Sequence, residues 1–285
     1  MNLKNKVIAS DLDGTLLTQQ NLIHPFTQKM LKKAKEEFNT TNVIATGRGL
    51  QKVLPLIKEG IFDDFDYVIC SNGALIYDIK NKKETLLGTV NPKVFELMKD
   101  LALKHDLVLT VDTAKYNGTF LPHKSNGELP DWLTASKVMD MNILNKYTLE
   151  EIEKIVYTPG VKITQIALRN PIDIAAKITD IVRENIKDTH SVFLTNGVYT
   201  DINPKGATKF NGLEYLLKSL NKTKDDLIAF GDSGNDVHMI EEALRGYAMG
   251  NSTQEAKDVA DEIIGDHNTD AIGKTLEKLM TNSND

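Results

Sequence analysis

Early in the chain, short apolar runs end three times in small polar residues. Residues 7–9 lead into Ser10-Asp11-Leu12-Asp13-Gly14, residues 42–45 into Thr46-Gly47-Arg48-Gly49, and residues 67–70 into Ser71-Asn72-Gly73-Ala74. Between the first two, Pro25 can open a helix, and Phe26, Met30, Leu31, Ala34 and Phe38 recur at helical spacing behind it. A second helix is predicted over residues 50–58. Continuous apolar strands alternating with amphipathic helices predict an α/β fold, a Rossmann-like parallel-sheet core with helices on both faces. In such a sheet the loops beyond the carboxyl ends of the strands form the ligand-binding edge. All three polar segments fall there.

The texture changes near Lys80, where Asn-Lys-Lys-Glu at 81–84 reads as a linker. Strand-like 85–90, a helix over 92–105, strand-like 107–111 and 161–168, and a helix over 171–186 then describe an α+β insert. The first pattern returns near Val198, with a helix from about residue 206 to 220 and a strand at 227–230 that ends in Gly-Asp-Ser-Gly-Asn-Asp at 231–236. A helix carrying Val237, Met239 and Ile240, a strand at 247–249 and two further helices complete the chain. The expected division is core over 1–82, an inserted cap domain over 83–196, and core again over 197–285.

Composition narrows the class. With 41% hydrophobic and 26% charged residues, the chain reads as an ordinary globular protein. A net charge of −6 provides no basic footprint for nucleic acid. No run approaches the ~20 apolar residues of a membrane span, and no apolar signal segment precedes the first charges. Cys70 is the single cysteine, which excludes an intrachain disulfide and fits a reducing compartment. A cytoplasmic protein is expected, with no nucleic-acid, membrane or protein partner implied.

Two acids two residues apart, Asp11 and Asp13, repel one another unless a cation or a proton relieves the charge. The pair therefore points to a metal, to unequal roles, or to both; a surface turn held by Gly14 is the plain alternative. An EF-hand loop requires glycine at its sixth position and glutamate at its twelfth, whereas here Gly14 is fourth and Leu22 twelfth. Asp232 follows a strand as Asp11 does, and Asp236 lies a helical turn beyond it. Asp11, Asp13, Thr46, Lys205, Asp232, Asn235 and Asp236 thus converge on one sheet edge. They offer a nucleophile, a second carboxyl, a hydroxyl, a cation and metal-binding acids, the set that phosphoryl transfer requires. Carboxylates favour a hard cation such as Mg²⁺, and no thiolate or histidine cluster suggests zinc.

These segments resemble the haloacid dehalogenase superfamily, Cof-type branch, over nearly the whole chain. Asp-Leu-Asp-Gly-Thr-Leu-Leu at 11–17, Thr-Gly-Arg at 46–48, Lys-Gly-Ala at 205–207 and Gly-Asp-Ser-Gly-Asn-Asp at 231–236 are similar to its four motifs, in order. The resemblance implies Asp11 as nucleophile and Asp13 as general acid and base. It implies Mg²⁺ bound by Asp11, the backbone carbonyl of Asp13, and Asp232, with Asp236 at the metal or orienting Lys205. Thr46 and Lys205 would hold the phosphoryl oxygens with Asn235 nearby, and Gly47, Arg48, Asn72 and Gly73 would line the substrate. Asp270-Ala271 departs from the acidic residue and glycine common in the branch.

The expected activity is Mg²⁺-dependent hydrolysis of a small phosphorylated metabolite, a sugar phosphate or similar, through an aspartyl-phosphate. The alternatives are a sugar-phosphate mutase and a non-catalytic phospho-ligand-binding regulator. A mutase must also grip a second phosphate, for which arginine forks suit best, and the insert holds only Arg169 and Arg183.

Overall fold

The computed structural model describes residues 2–134 and 145–284. The chain divides into two compact units, one of Met1–Arg48, Val53–Leu87 and Thr208–Asp285, the other of Gly49–Lys52 and Gly88–Ala207.

The first unit begins with β1 (Val7–Ser10), fully buried, then α1 (Pro25–Phe38). Pro25 starts α1 with its fixed φ, the His24 ring accepts a hydrogen bond from the Phe26 N–H, and Asn39 stops the helix in the left-handed region at φ 54°. Next come β2 (Thr41–Ala45), α2 (Leu50–Lys58) and β3 (Tyr67–Cys70), with β4 (Leu75–Asp78) and β5 (Lys83–Leu86) returning antiparallel.

The second unit carries α3 (Val94–His105), β6 (Val108–Thr113), β7 (Asn117–Phe120), α4 (Asp131–Thr134), α5 (Leu149–Val156), β8 (Ile163–Arg169), α6 (Ala175–Ile186), β9 (His190–Thr195) and β10 (Tyr199–Pro204). Its five strands form one antiparallel sheet in the order β7-β6-β8-β10-β9. Leu109, Val111, Ile166, Leu168 and Ile202 pack one face against Phe95, Met98, Ile152, Ile178 and Val182 of α3, α5 and α6. The capping box of Thr148 and Glu151 starts α5.

The first unit resumes with α7 (Lys209–Ser219), β11 (Leu227–Gly231), α8 (Val237–Glu242), β12 (Arg245–Ala248), α9 (Gln254–Val259), β13 (Glu262–Ile263) and α10 (Ala271–Asn284). Its eight-stranded sheet runs β13-β12-β11-β1-β2-β3-β4-β5, parallel from β13 through β3. Val7, Ala9, Val43, Ala45, Ile69 and Ala229 face Phe210, Leu213, Leu216, Leu217 and Met239 of α7 and α8, while α1 and α10 pack together. Helices cover the parallel strands, as continuous apolar runs require.

The chain leaves β1 toward β2 on one side and later places β11 on the other. The crevice at this reversal of strand order is where open α/β sheets bind ligands. The loops after β11, β1, β2 and β3 are consequently neighbours.

The units divide at Leu87/Gly88 and Ala207/Thr208, not at 82/83 and 196/197. Lys83–Leu86 pairs with β4 in the first unit, and Tyr199–Pro204 pairs with β8 and β9 in the second. The expected helix from about residue 206 instead starts at Lys209. Gly206 turns at φ 77°, and the Thr208 hydroxyl caps the helix by accepting from the Asn211 N–H at 3.0 Å. No helix among the described residues is long and apolar enough to cross a membrane.

Candidate active site

The site is built on the first unit's sheet edge. Asp11 is the first residue past β1, and its N–H donates to the Phe230 carbonyl at 2.9 Å, tying the β1 loop to β11. Its side chain is 4% exposed. Gly14 bends the loop at φ 82°, where a Cβ would come within 2.6 Å of Asp232 Oδ2. Glycine is required there both for the backbone conformation and for the close approach of Asp232.

Asp232 and Asp236 flank the turn after β11. Asp236 is fully buried; one carboxylate oxygen accepts from the backbone N–H groups of Asp232 and Ser233 at 3.1 and 3.0 Å, and the other from Lys209 Nζ at 2.7 Å. Asp236 therefore braces the turn and orients a lysine. Asp232 Oδ1 accepts from the Thr15 hydroxyl at 3.0 Å.

Lys209, 1% exposed at the first turn of α7, bridges Asp11 Oδ1 at 2.5 Å and Asp236 Oδ1 at 2.7 Å. Burial opposes its charge, but Asp11 and Asp236 more than offset that and raise the ammonium above its ordinary value. Lys205 is a correction to the sequence reading. Its ammonium donates to the Lys187 carbonyl from an exposed turn in the second unit, and it is Lys209 of the first unit that bridges the acidic cluster. The local cue lay in Pro204-Lys205-Gly206, a turn signal, with Thr208 as a helix cap before Lys209.

Asp13 is forked by Arg48, Nε to Oδ2 at 2.8 Å and Nη2 to Oδ1 at 2.5 Å. Thr46 is 1% exposed, and its hydroxyl accepts from the Arg48 N–H at 3.1 Å. Asn72, held at φ 51°, accepts through Oδ1 from Asn235 Nδ2 at 2.9 Å, so the β3 and β11 loops are cross-linked. Gly47 lies against Asn72. Gly73, at φ 100°, would drive a Cβ to 2.1 Å from the Thr208 carbonyl, so only glycine lets the β3 loop pass the start of α7. Asp11, Asp13, Thr46, Arg48, Asn72, Asp232, Asn235 and Asp236 thus occupy one neighbourhood, together with Lys209, Thr15 and Ser233, which sequence reasoning did not single out.

Carboxylate oxygens of Asp11, Asp232 and Asp236 lie within 4.8 Å of one another. Burial pushes the Asp11 carboxyl well above the ordinary range against the pull of Lys209, and Asp236, Asp232 and Asp13 push it the same way. Burial, helped by Asp236, lifts Asp232 to about 6. Three crowded carboxylates against one bridging lysine form an all-oxygen donor set with excess negative charge, and a hard divalent cation fits it. Asp11 and Asp232 would hold such a cation; both Asp236 oxygens already accept from protein donors.

A doubly wound sheet with acids beyond β1 and β11, and a lysine between them, defines a class of hydrolase. The sequence profile of the haloacid dehalogenase-like hydrolases matches residues 8–276, and the chain belongs to that family. It is 27% identical over 275 residues to the 5-amino-6-(5-phospho-D-ribitylamino)uracil phosphatase YcsE of Bacillus subtilis (strain 168), covering 95% of this chain and 94% of that one. It is 26% identical over 288 residues to YxeH of the same organism, covering 96% and 98%. Among solved structures, the fold is similar to a haloacid dehalogenase-like hydrolase from Bacteroides thetaiotaomicron (TM-score 0.78, 22% identity, 97% and 100% covered). It is also similar to the subclass IIB sugar phosphatase BT4131 (TM-score 0.78, 20% identity, 96% and 98% covered).

Proposed function

We propose that this chain is a Mg²⁺-dependent phosphatase that hydrolyses a small phosphorylated metabolite through an aspartyl-phosphate, an acyl phosphate on Asp11. One observation carries the reading: a buried carboxylate at the ligand edge of the sheet, touched by a buried lysine and crowded by two further acids. A binding module needs no such nucleophile. The phosphatase activity in the name of the relative YcsE agrees with it.

In the first half-reaction an Asp11 oxygen forms a bond to phosphorus as the bond to the leaving oxygen breaks, and Asp13 gives its proton to that oxygen. In the second, water attacks phosphorus, Asp13 takes its proton, and the Asp11 carboxylate is regenerated with release of phosphate. Lys209 and Thr46 stabilise charge on the phosphoryl oxygens, and Asp236 keeps Lys209 aimed at Asp11. Asp11 and Asp232 would hold Mg²⁺, which when bound would supply the charge neutralisation that lets an anionic nucleophile meet an anionic ester. Arg48 grips Asp13 as a carboxylate, the form required by the second half-reaction. That fork has to open before Asp13 can carry a proton to the leaving oxygen.

Hydrolysis, not phosphoryl migration, follows from the arginines of the second unit. Arg183 pairs with Asp180 on α6 at 2.6 Å, and Arg169 is 4% exposed beside the rings of Trp132 and Tyr199. Neither is placed as an open anchor for a second phosphate. The test is phosphate release from a panel of phosphorylated metabolites after chelation and add-back. Mg²⁺ should restore turnover, Ca²⁺ should restore little because it accepts more ligands at longer distances, and Asp11→Asn should lose several powers of ten. An Asp11→Asn enzyme retaining about a tenth of the rate would contradict the assignment.

A further inference from the structure

Gly14 is the freest residue of the β1 loop, and the acidic cluster depends on where it sits. Its φ of 82° and missing Cβ let Asp232 approach, and its successor Thr15 donates to Asp232 Oδ1 at 3.0 Å. Glycine samples more backbone conformations than any other residue. Asp13 and Asp232 also act on Asp11 as like charges, so the acids this loop brings together repel one another. Both effects would let the loop drift away from Asp232 unless something outside it holds Gly14.

Asn251, in the turn between β12 and α9, meets that need. Its Nδ2 donates to the Gly14 carbonyl at 2.8 Å. The amide's orientation is settled by its other half, since Oδ1 accepts from the His267 N–H at 3.0 Å and leaves Nδ2 for a carbonyl. His267, in the turn between β13 and α10, holds the far end of the same loop. The Leu17 carbonyl can only accept, so the ring Nδ1 at 2.7 Å is the donor, and Nε2 is left to accept from Asn268 Nδ2 at 3.1 Å. Asn268 Oδ1 in turn accepts from the Gln19 N–H at 2.9 Å. The turn that carries Asn251 is tied equally to β11. The Thr253 N–H donates to the Asp232 carbonyl at 2.8 Å, and the Ser252 hydroxyl to the Gly231 carbonyl at 3.2 Å. One turn, residues 251–253, thus grips the backbone of both acid-bearing loops, and all of it lies within the first unit.

Asn251 is exposed, and a carbonyl at the surface can bond water instead, so satisfying Gly14 does not by itself require the amide. What the side chain adds is a fixed position. We propose that Asn251 is a positioning residue of the cation site, holding the Gly14 peptide against the Asp232 turn so that the carboxylates of Asp11 and Asp232 are in place before a divalent cation arrives. This rests on the Mg²⁺-dependent phosphatase reading and deepens it. Without the amide, cation binding must also order the loop against the repulsion of its own acids, and that cost is read as lost affinity.

The test is Mn²⁺ binding to the full chain with no ester present, read from the electron paramagnetic resonance signal of the free ion. Asn251→Ala should bind Mn²⁺ about tenfold more weakly than wild type, while its urea midpoint in chelator stays close to that of wild type, as expected for an exposed side chain. Its phosphate release should fall at limiting Mg²⁺ and return at excess. Thr15→Val, which removes the hydroxyl contact to Asp232, should also weaken Mn²⁺ binding. The double variant should lose clearly less than the product of the two single effects, because both act through the Gly14–Thr15 peptide. Affinity in Asn251→Ala unchanged within about twofold, single effects that simply multiply, or a fall in the urea midpoint matching the loss of affinity would each overturn the proposal and leave the phosphatase reading standing. A wild type that binds no Mn²⁺ and releases phosphate equally well in chelator would remove the cation from that reading and the proposal with it.

Discussion

Lys205 and Lys209 lie four residues apart, but one is on an exposed turn and the other is clamped between two buried carboxylates. Removing Lys209 would leave Asp11 and Asp236 buried and facing each other, a loss of about 3–5 kcal/mol for breaking a buried pair. Lys209→Met should therefore lower the urea midpoint and reduce turnover by about a hundredfold or more, whereas Lys205→Ala should change either little. The opposite ranking in phosphate-release and unfolding assays would contradict the assignment. A second residue-scale expectation comes from Asp232, raised to about 6. A carboxyl raised on folding binds its proton more tightly in the folded state, so the metal-free protein gains stability as pH falls through about 6 and loses it as pH rises. The penalty at neutral pH is of the order of 2–3 kcal/mol, shared with its coupled neighbours. In chelator, Asp232→Asn should be more stable than wild type at neutral pH, with the gap closing toward pH 5 and Mg²⁺ removing the wild type's handicap. A gap that widens on acidification would refute this.

At the scale of elements, the parallel strands could be read from sequence because burial on both faces leaves them continuously apolar. Val7, Ile8, Val43, Ile44, Val68 and Ile69 are all 0% exposed. The loops after β1, β2, β3 and β11 were legible for the same reason, each beginning where an apolar run stops. β10 was not. Thr-Asp-Ile-Asn-Pro alternates polar and apolar residues as a half-polar antiparallel strand does, yet it sits next to the lysine stretch in sequence. Its partners, β8 and β9, are fixed only by tertiary pairing. The Asp13–Arg48 fork was hidden likewise, since it joins residues from separate loops. The boundary has a consequence. Excising 88–207 should leave an eight-stranded sheet complete, whereas excising 83–196 removes β5 and strands β10 without its neighbours. The first deletion should unfold cooperatively and keep weak activity on phenyl phosphate without selectivity. Equal or better stability for the second, in paired urea titrations, would place the boundary elsewhere.

For the whole molecule, the first unit holds every group proposed to touch the transferred phosphoryl. Loop and insert variation on a fixed core is how one fold serves many substrates. Everything depends on Asp11 becoming phosphorylated. The direct measurement is rapid quenching of the wild-type enzyme during turnover with Mg²⁺ and a cleavable phosphate ester, followed by borohydride reduction and peptide mass analysis. An acyl phosphate at Asp11 is reduced to homoserine, so residue 11 should be recovered as homoserine only when substrate and metal are both present. Phosphate release in the same samples with unmodified aspartate at position 11, or with the label on another carboxylate, would contradict covalent catalysis by Asp11.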